Sequence, residues 1–99
     1  MRRGSTVTEK YTIPIPTDQI KEIRITFSQN GEAVLEKKTA DCTFSGHAVT
    51  IQLSQVETLS FTAGVVIAIQ IRVKLLDGNV IPMKERYVFC RDTANEEVL

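Results

Sequence analysis

From Gly64 to Cys90 the chain reads GVVIAIQIRVKLLDGNVIPMKERYVFC, two long runs joined at Asp77-Gly78. Val65, Ile67, Ile69, Ile71, Val73 and Leu75 take the odd positions, with Ala68, Gln70, Arg72 and Lys74 between them. A period of two predicts a strand with one buried and one wetted face. The buried set is mostly β-branched, which suits a pleated packing surface. In the second run Ile81, Met83, Tyr87 and Phe89 hold odd positions, and Glu85 is the exception. A two-residue loop would set Ile69 opposite Arg86 and Ile71 opposite Lys84, burying two cations at high cost. A three-residue loop, Leu76-Asp77-Gly78, instead pairs Val73 with Ile81, Ile71 with Met83 and Ile67 with Tyr87. It also gives Gly78 the positive φ of a type I turn followed by a bulge. This longer loop is the expectation. Pro82 then lies on the outer face and marks a sheet edge or a bulge, because it cannot donate to a ladder.

The same parity organises the rest of the chain. Val7, Tyr11, Ile13 and Ile15 predict a first strand that Pro14 and Pro16 push to an edge and end. Thr17-Asp18-Gln19 is a turn. Residues 20–27 form a second strand with Ile23, Ile25 and Phe27 inward and Glu22, Arg24 and Thr26 outward. At Gln29-Asn30-Gly31 a three-residue loop sets Phe27 against Ala33 and Ile25 against Leu35, whereas a tight Asn30-Gly31 turn would set Ile25 against Glu36. The longer loop is preferred. The polar run 32–38 ends in Lys37-Lys38, a composition that guards an edge. Residues 41–44 form a short strand, turned by Ser45-Gly46 into 47–53, where Val49, Ile51 and Leu53 point inward. Ser54-Gln55-Val56-Glu57 is a capping box, and Val56 and Leu59 share one face of a single helical turn. Phe27, Phe44, Tyr87 and Phe89 are the aromatics read as inward. Hairpin connections and one helical crossover together predict an all-β fold, a seven-stranded antiparallel immunoglobulin-like β-sandwich with one short helical turn. Its expected divisions are a disordered tail over 1–5, the sandwich over 6–90 and a polar tail over 91–99.

Composition narrows the function more by exclusion than by suggestion. Twelve basic residues balance twelve acidic ones, which argues against duplex nucleic acid as partner, where a basic face is expected. The charged start has no apolar run behind it, so no signal peptide is expected, and the longest apolar stretch is too short to span a bilayer. The protein is expected to be made and used in the cytoplasm, or to be exported only as part of an assembly. Cys42 and Cys90 lack metal-ligand spacing and are expected to be reduced.

Candidate chemistry is sparse. His47 stands alone after Ser45-Gly46, without the orienting partner a catalytic base needs. Parity points Glu85 at the core, so either a lysine or arginine pairs with it there or a bulge at Pro82 turns it outward. Asp18, Asp41, Asp77 and Asp92 fall singly at turns, where aspartates cap backbone amides. Gly31, Gly46, Gly64 and Gly78 are isolated turn glycines and form no phosphate loop. No catalytic, cofactor or metal residues are assigned, and no cofactor is expected. The outer face of the long hairpin does carry a basic strip, Gln70, Arg72, Lys74, Lys84 and Arg86, with no outward aromatics between the charges. A solvated strand face is the default reading of this strip; as a candidate interaction face it suits an acidic protein surface better than nucleic acid.

The stretches IKEIRITFSQNG, LSQVETLSF and IQIRVKLLDGN together resemble small proteins encoded among the structural genes of prophages of Gram-positive bacteria. They are also similar to the N-terminal β-sandwich of the upper baseplate protein of tailed phages. The resemblance runs from about Tyr11 to Phe89 and rests on strand and turn patterns, without a catalytic signature. It implies a non-enzymatic role in a tail or baseplate, through contacts with phage structural proteins or through self-association. A small ligand- or carbohydrate-binding sandwich is the alternative, disfavoured by the shortage of outward aromatics for sugar stacking.

Overall fold

The computed structural model describes residues 1–92. Two antiparallel sheets face one another in a sandwich-like arrangement. The smaller holds β1 (Val7–Thr12), β5 (Ala48–Leu53) and β4 (Cys42–Ser45), in that order. The larger holds β3 (Glu32–Lys38), β2 (Ile20–Gln29) and β6 (Val66–Leu75), and beyond β6 lie β7 (Val80–Pro82) and β8 (Arg86–Phe89). A 3₁₀ turn over Thr17–Gln19 links β1 to β2, and another over Thr39–Asp41 links β3 to β4. The helix α1 (Gln55–Leu59) carries the chain from the smaller sheet to β6.

The core lies between the sheets and is built by alternation. Ile23, Ile25 and Phe27 of β2 meet Ile67, Ile69, Ile71 and Val73 of β6, and Val49, Ile51 and Leu53 of β5 face them. Tyr11, Ile13, Phe61 and Cys90 complete the buried cluster. Phe61 was not singled out by periodicity, because it stands outside any strand. It packs edge-on against Phe27, with ring centroids 6.1 Å apart. Gln29, at the end of β2, donates to the carbonyls of Thr62 and Val65 and accepts from the Thr62 amide at 2.8 Å, which clamps the loop before β6.

The two sheets together contain eight strands where seven were expected, because the second arm of the long hairpin breaks. The loop Leu76-Asp77-Gly78 is as expected: Val73 pairs with Ile81, and Gly78 adopts a φ of +91°. Met83 still follows this register, its amide bonded to the Ile71 carbonyl at 2.9 Å. Beyond it the pairing is Ile69 with Arg86, Ala68 with Tyr87 and Ile67 with Val88, so Ile67 does not oppose Tyr87. One extra residue has entered the second arm across 83–85, beside the proline that cannot donate. Parity is thereby reversed. Tyr87 and Phe89 turn outward and are 64% and 55% exposed, and Glu85 is exposed as well.

The β2–β3 hairpin also departs from expectation. Its turn is the tight one: Gln29 pairs with Glu32, and Asn30 and Gly31 take φ values of +52° and +78°, as a type I′ turn requires. A register shift between Phe27 and Ser28 then restores odd parity, so that Phe27 opposes Leu35 and Ile25 opposes Lys37. Parity predicts facing only along an unbroken ladder, and one bulge in β3 breaks it. Lys37 is consequently buried, and it is neutralised by Glu57 at 2.7 Å.

Strand order separates this sandwich from the constant-type immunoglobulin plan, in which the second strand stands with the fifth. Here β2 stands between β3 and β6. The capping box at Ser54 is present in full, with Glu57 reaching the Ser54 amide and the Glu57 amide reaching the Ser54 hydroxyl. Within α1, however, Thr58 is the buried residue and Val56 is exposed. Thr58 Oγ1 donates to the Ser5 carbonyl and accepts from the Gly4 amide. Met1, Arg2, Gly4 and Ser5, within the stretch expected as a disordered tail, make contacts of this kind. The Met1 ammonium bonds the Phe89 carbonyl at 2.8 Å, and Arg2 bridges to Arg91 in parallel. Of the polar tail expected over 91–99, Arg91 and Asp92 take part in these contacts, and residues 93–99 lie outside the described residues.

Candidate interaction face

One side of the five-stranded sheet covers the core, and its other side is the outer face. Of the residues expected there, Gln70, Arg72 and Lys74 stand together along the outward positions of β6. Their cross-strand neighbours on β2 are Thr26, Arg24 and Glu22 respectively. Arg24 in turn opposes Lys38 of β3. Lys38, Arg24 and Arg72 therefore form one row across three strands, and Pro82 ends it. Glu36 lies 3.3 Å from Arg24 Nε as its only ion-pair partner among the described residues. A shallow depression of about 200 Å³ over this row is lined by Glu22, Arg24, Lys38, Arg72 and Lys74 together with Thr39.

Lys84 and Arg86 do not belong to this strip. The bulge places Arg86 opposite Ile69, on the inward side, at the seam between the two sheets. Its guanidinium lies 5.2 Å from the Tyr11 ring centroid and donates to the Thr12 carbonyl at 3.0 Å. Arg86 is itself exposed, and its cation over the face of the buried Tyr11 ring is a favourable contact. Burial, and secondarily Glu9, push the Tyr11 phenol far above its ordinary pKa, although Arg86 acts in the opposite sense. Lys84 stands in the bulge, and with Thr12, Pro14, Met83 and Glu85 it lines a cleft of about 420 Å³ along the seam.

What replaces the two cations on the outer face is aromatic. Tyr87 and Phe89 oppose Ala68 and Val66, and Val66 is itself 48% exposed. The expectation of no outward aromatics is thus corrected, for the same reason as the register. The Tyr87 hydroxyl donates to Glu85 Oε2 at 2.8 Å, which raises the phenol's pKa and fixes the ring's edge. The outer face is consequently two-ended, apolar around Val66, Tyr87 and Phe89 and basic around Arg72. Sequence inspection missed this because the aromatics share the parity of the buried isoleucines.

The remaining candidates stay separate. His47 is exposed, with Nδ1 3.3 Å from the Ile13 carbonyl. Asp41 and Asp77 accept backbone amides in their turns, as expected of turn aspartates, whereas Asp92 meets Arg3 at 2.9 Å. Cys42, on β4, and Cys90, after β8, are both free, and burial raises both thiols. Among the described residues no group of three His, Cys, Asp or Glu side chains is placed to hold a metal ion, and no helix is long and apolar enough to cross a membrane. Comparison with protein-family models, curated proteins and solved structures finds no match for this chain.

Proposed function

We propose that this protein is a non-enzymatic structural or assembly module of a phage tail or baseplate, acting through protein contacts on the outer face of its larger sheet. The observation that carries the reading is the uncovered apolar end of that face. Val66, Tyr87 and Phe89 are large, adjacent and exposed, a grouping that marks interaction surfaces on small domains. The phage assignment rests on the sequence resemblance. In this reading the sandwich is a variant of the immunoglobulin-like plan, with β2 moved beside β3 and β6. Mass spectrometry of particles induced from a lysogen that encodes the chain tests the proposal. The chain is expected in purified particles in fixed ratio to the tail proteins, and its absence from them would contradict the reading.

A second reading gains from the same residues. Outward aromatics are what carbohydrate stacking needs, and the Tyr87 hydroxyl donates to Glu85 beside the exposed ring. It predicts that neutral sugars quench tyrosine emission in the wild type and not in Tyr87→Ser.

A further inference from the structure

Like charges placed directly opposite one another in a sheet destabilise it. Arg72 nevertheless opposes Arg24, and Arg24 opposes Lys38, on a face where any polar residue would serve solubility equally well. Only Arg24 has an ion-pair partner, Glu36; Lys38, Arg72 and Lys74 make no side-chain hydrogen bond or ion pair among the described residues. The four cations line one depression, and Glu22 is the single carboxylate within it. Neighbouring strands lie about 4.8 Å apart, so the row of three spans roughly 10 Å, within reach of carboxylates at alternate positions of an extended segment.

We propose that Lys38, Arg24, Arg72 and Lys74 form a binding site for an acidic, extended segment of a partner protein. The inference rests on the interaction-module reading and adds the chemistry of the partner. Guanidinium groups suit carboxylates because their planar fork can bind both oxygens. Glu22 and Glu36 flank the row and repel carboxylate and phosphate alike, so the choice between the two rests on what else stands beside the cations. The aromatic end of the face begins at Tyr87, which opposes Ala68 four residues along β6 from Arg72, about 13 Å away, so no base-stacking side chain stands beside the cations. A partner bearing carboxylates at one end and apolar side chains at the other would match both ends of the face.

The test is fluorescence anisotropy with a labelled peptide of alternating Glu and Val, and labelled oligo-dT as the comparison. The wild type is expected to bind the peptide, more weakly as salt rises. Arg24→Gln/Arg72→Gln is expected to weaken binding at least tenfold while melting no lower than the wild type, because a repulsive pair has been removed. Lys10→Gln, an exposed cation on the smaller sheet, should change binding by less than twofold. No peptide binding by the wild type, equal losses in the double variant and Lys10→Gln, or tighter binding of oligo-dT through the same row would each overturn the site. Particle incorporation without peptide binding refutes this inference alone and leaves the module reading standing.

Discussion

At the scale of single residues, facing decides cost. Ile69 is buried in the central strand, and Ile69→Asp would bury a carboxylate without a partner, at a cost of several kcal/mol. That is comparable to the whole stability of a small domain. Gln70→Asp, one position along and outward, is expected to shift the melting temperature little. Near-equal melting of the two variants would contradict the facing of β6. Glu57 offers a pH test. Burial works to raise its carboxyl pKa, but the hydrogen bonds from Lys37 and the Ser54 amide, and the Lys37 charge, outweigh burial and hold it below the ordinary value. A carboxyl depressed in the folded state contributes stability above its unfolded pKa, about 4.3, and that contribution is lost as pH falls through the folded value. Lys37→Met is therefore expected to cost on the order of 1–3 kcal/mol at neutral pH and to flatten the acid limb. Urea midpoints from about pH 3 to 7 read both effects.

At the scale of elements, the bulge across 83–85 is the feature on which the outer face depends. It turns Tyr87 and Phe89 outward, so Phe89→Ser is expected to change stability by no more than about 0.5 kcal/mol. Phe61→Ala, which opens a cavity beside Phe27, is expected to cost about 3–5 kcal/mol. Chemical denaturation of both variants measures the difference, and a large loss for Phe89→Ser would mean that the register continues unbroken to Cys90. The alternation in β2, β5 and β6 was legible in the sequence because each strand is regular and one face of each is dry. The Asp77-Gly78 loop was legible because the alternatives bury cations. The two bulges were not, since an inserted residue leaves composition and spacing unchanged on either side of it. Pro82 gave a local signal for one of them, and its consequence for Tyr87 and Phe89 could have been drawn. Val34, in the other, gave none. Lys37 has the composition of an edge guard, and β3 is an edge strand, but its neutralisation by Glu57 depends on how α1 packs, which parity does not address.

At the scale of the molecule, two hydrophobic sheet faces close on each other and leave one outer face divided between aromatic and basic ends. The termini reinforce that arrangement, because Met1 and Arg2 bond the chain at Phe89 and Arg91 along the far side of β8. That edge is therefore covered near Phe89, which favours docking onto the face over addition of a strand there. The basic end could be read from sequence as a strip along β6, but Arg24 and Lys38 joined it only through register, and Arg86 left it through the bulge. The most direct test of the interaction face is the incorporation of Tyr87→Ser/Phe89→Ser into phage particles, quantified against the wild type expressed from the same locus. The variant is expected to keep wild-type circular dichroism and melting and to be strongly depleted from particles. Incorporation of the folded variant at the wild-type level would contradict it.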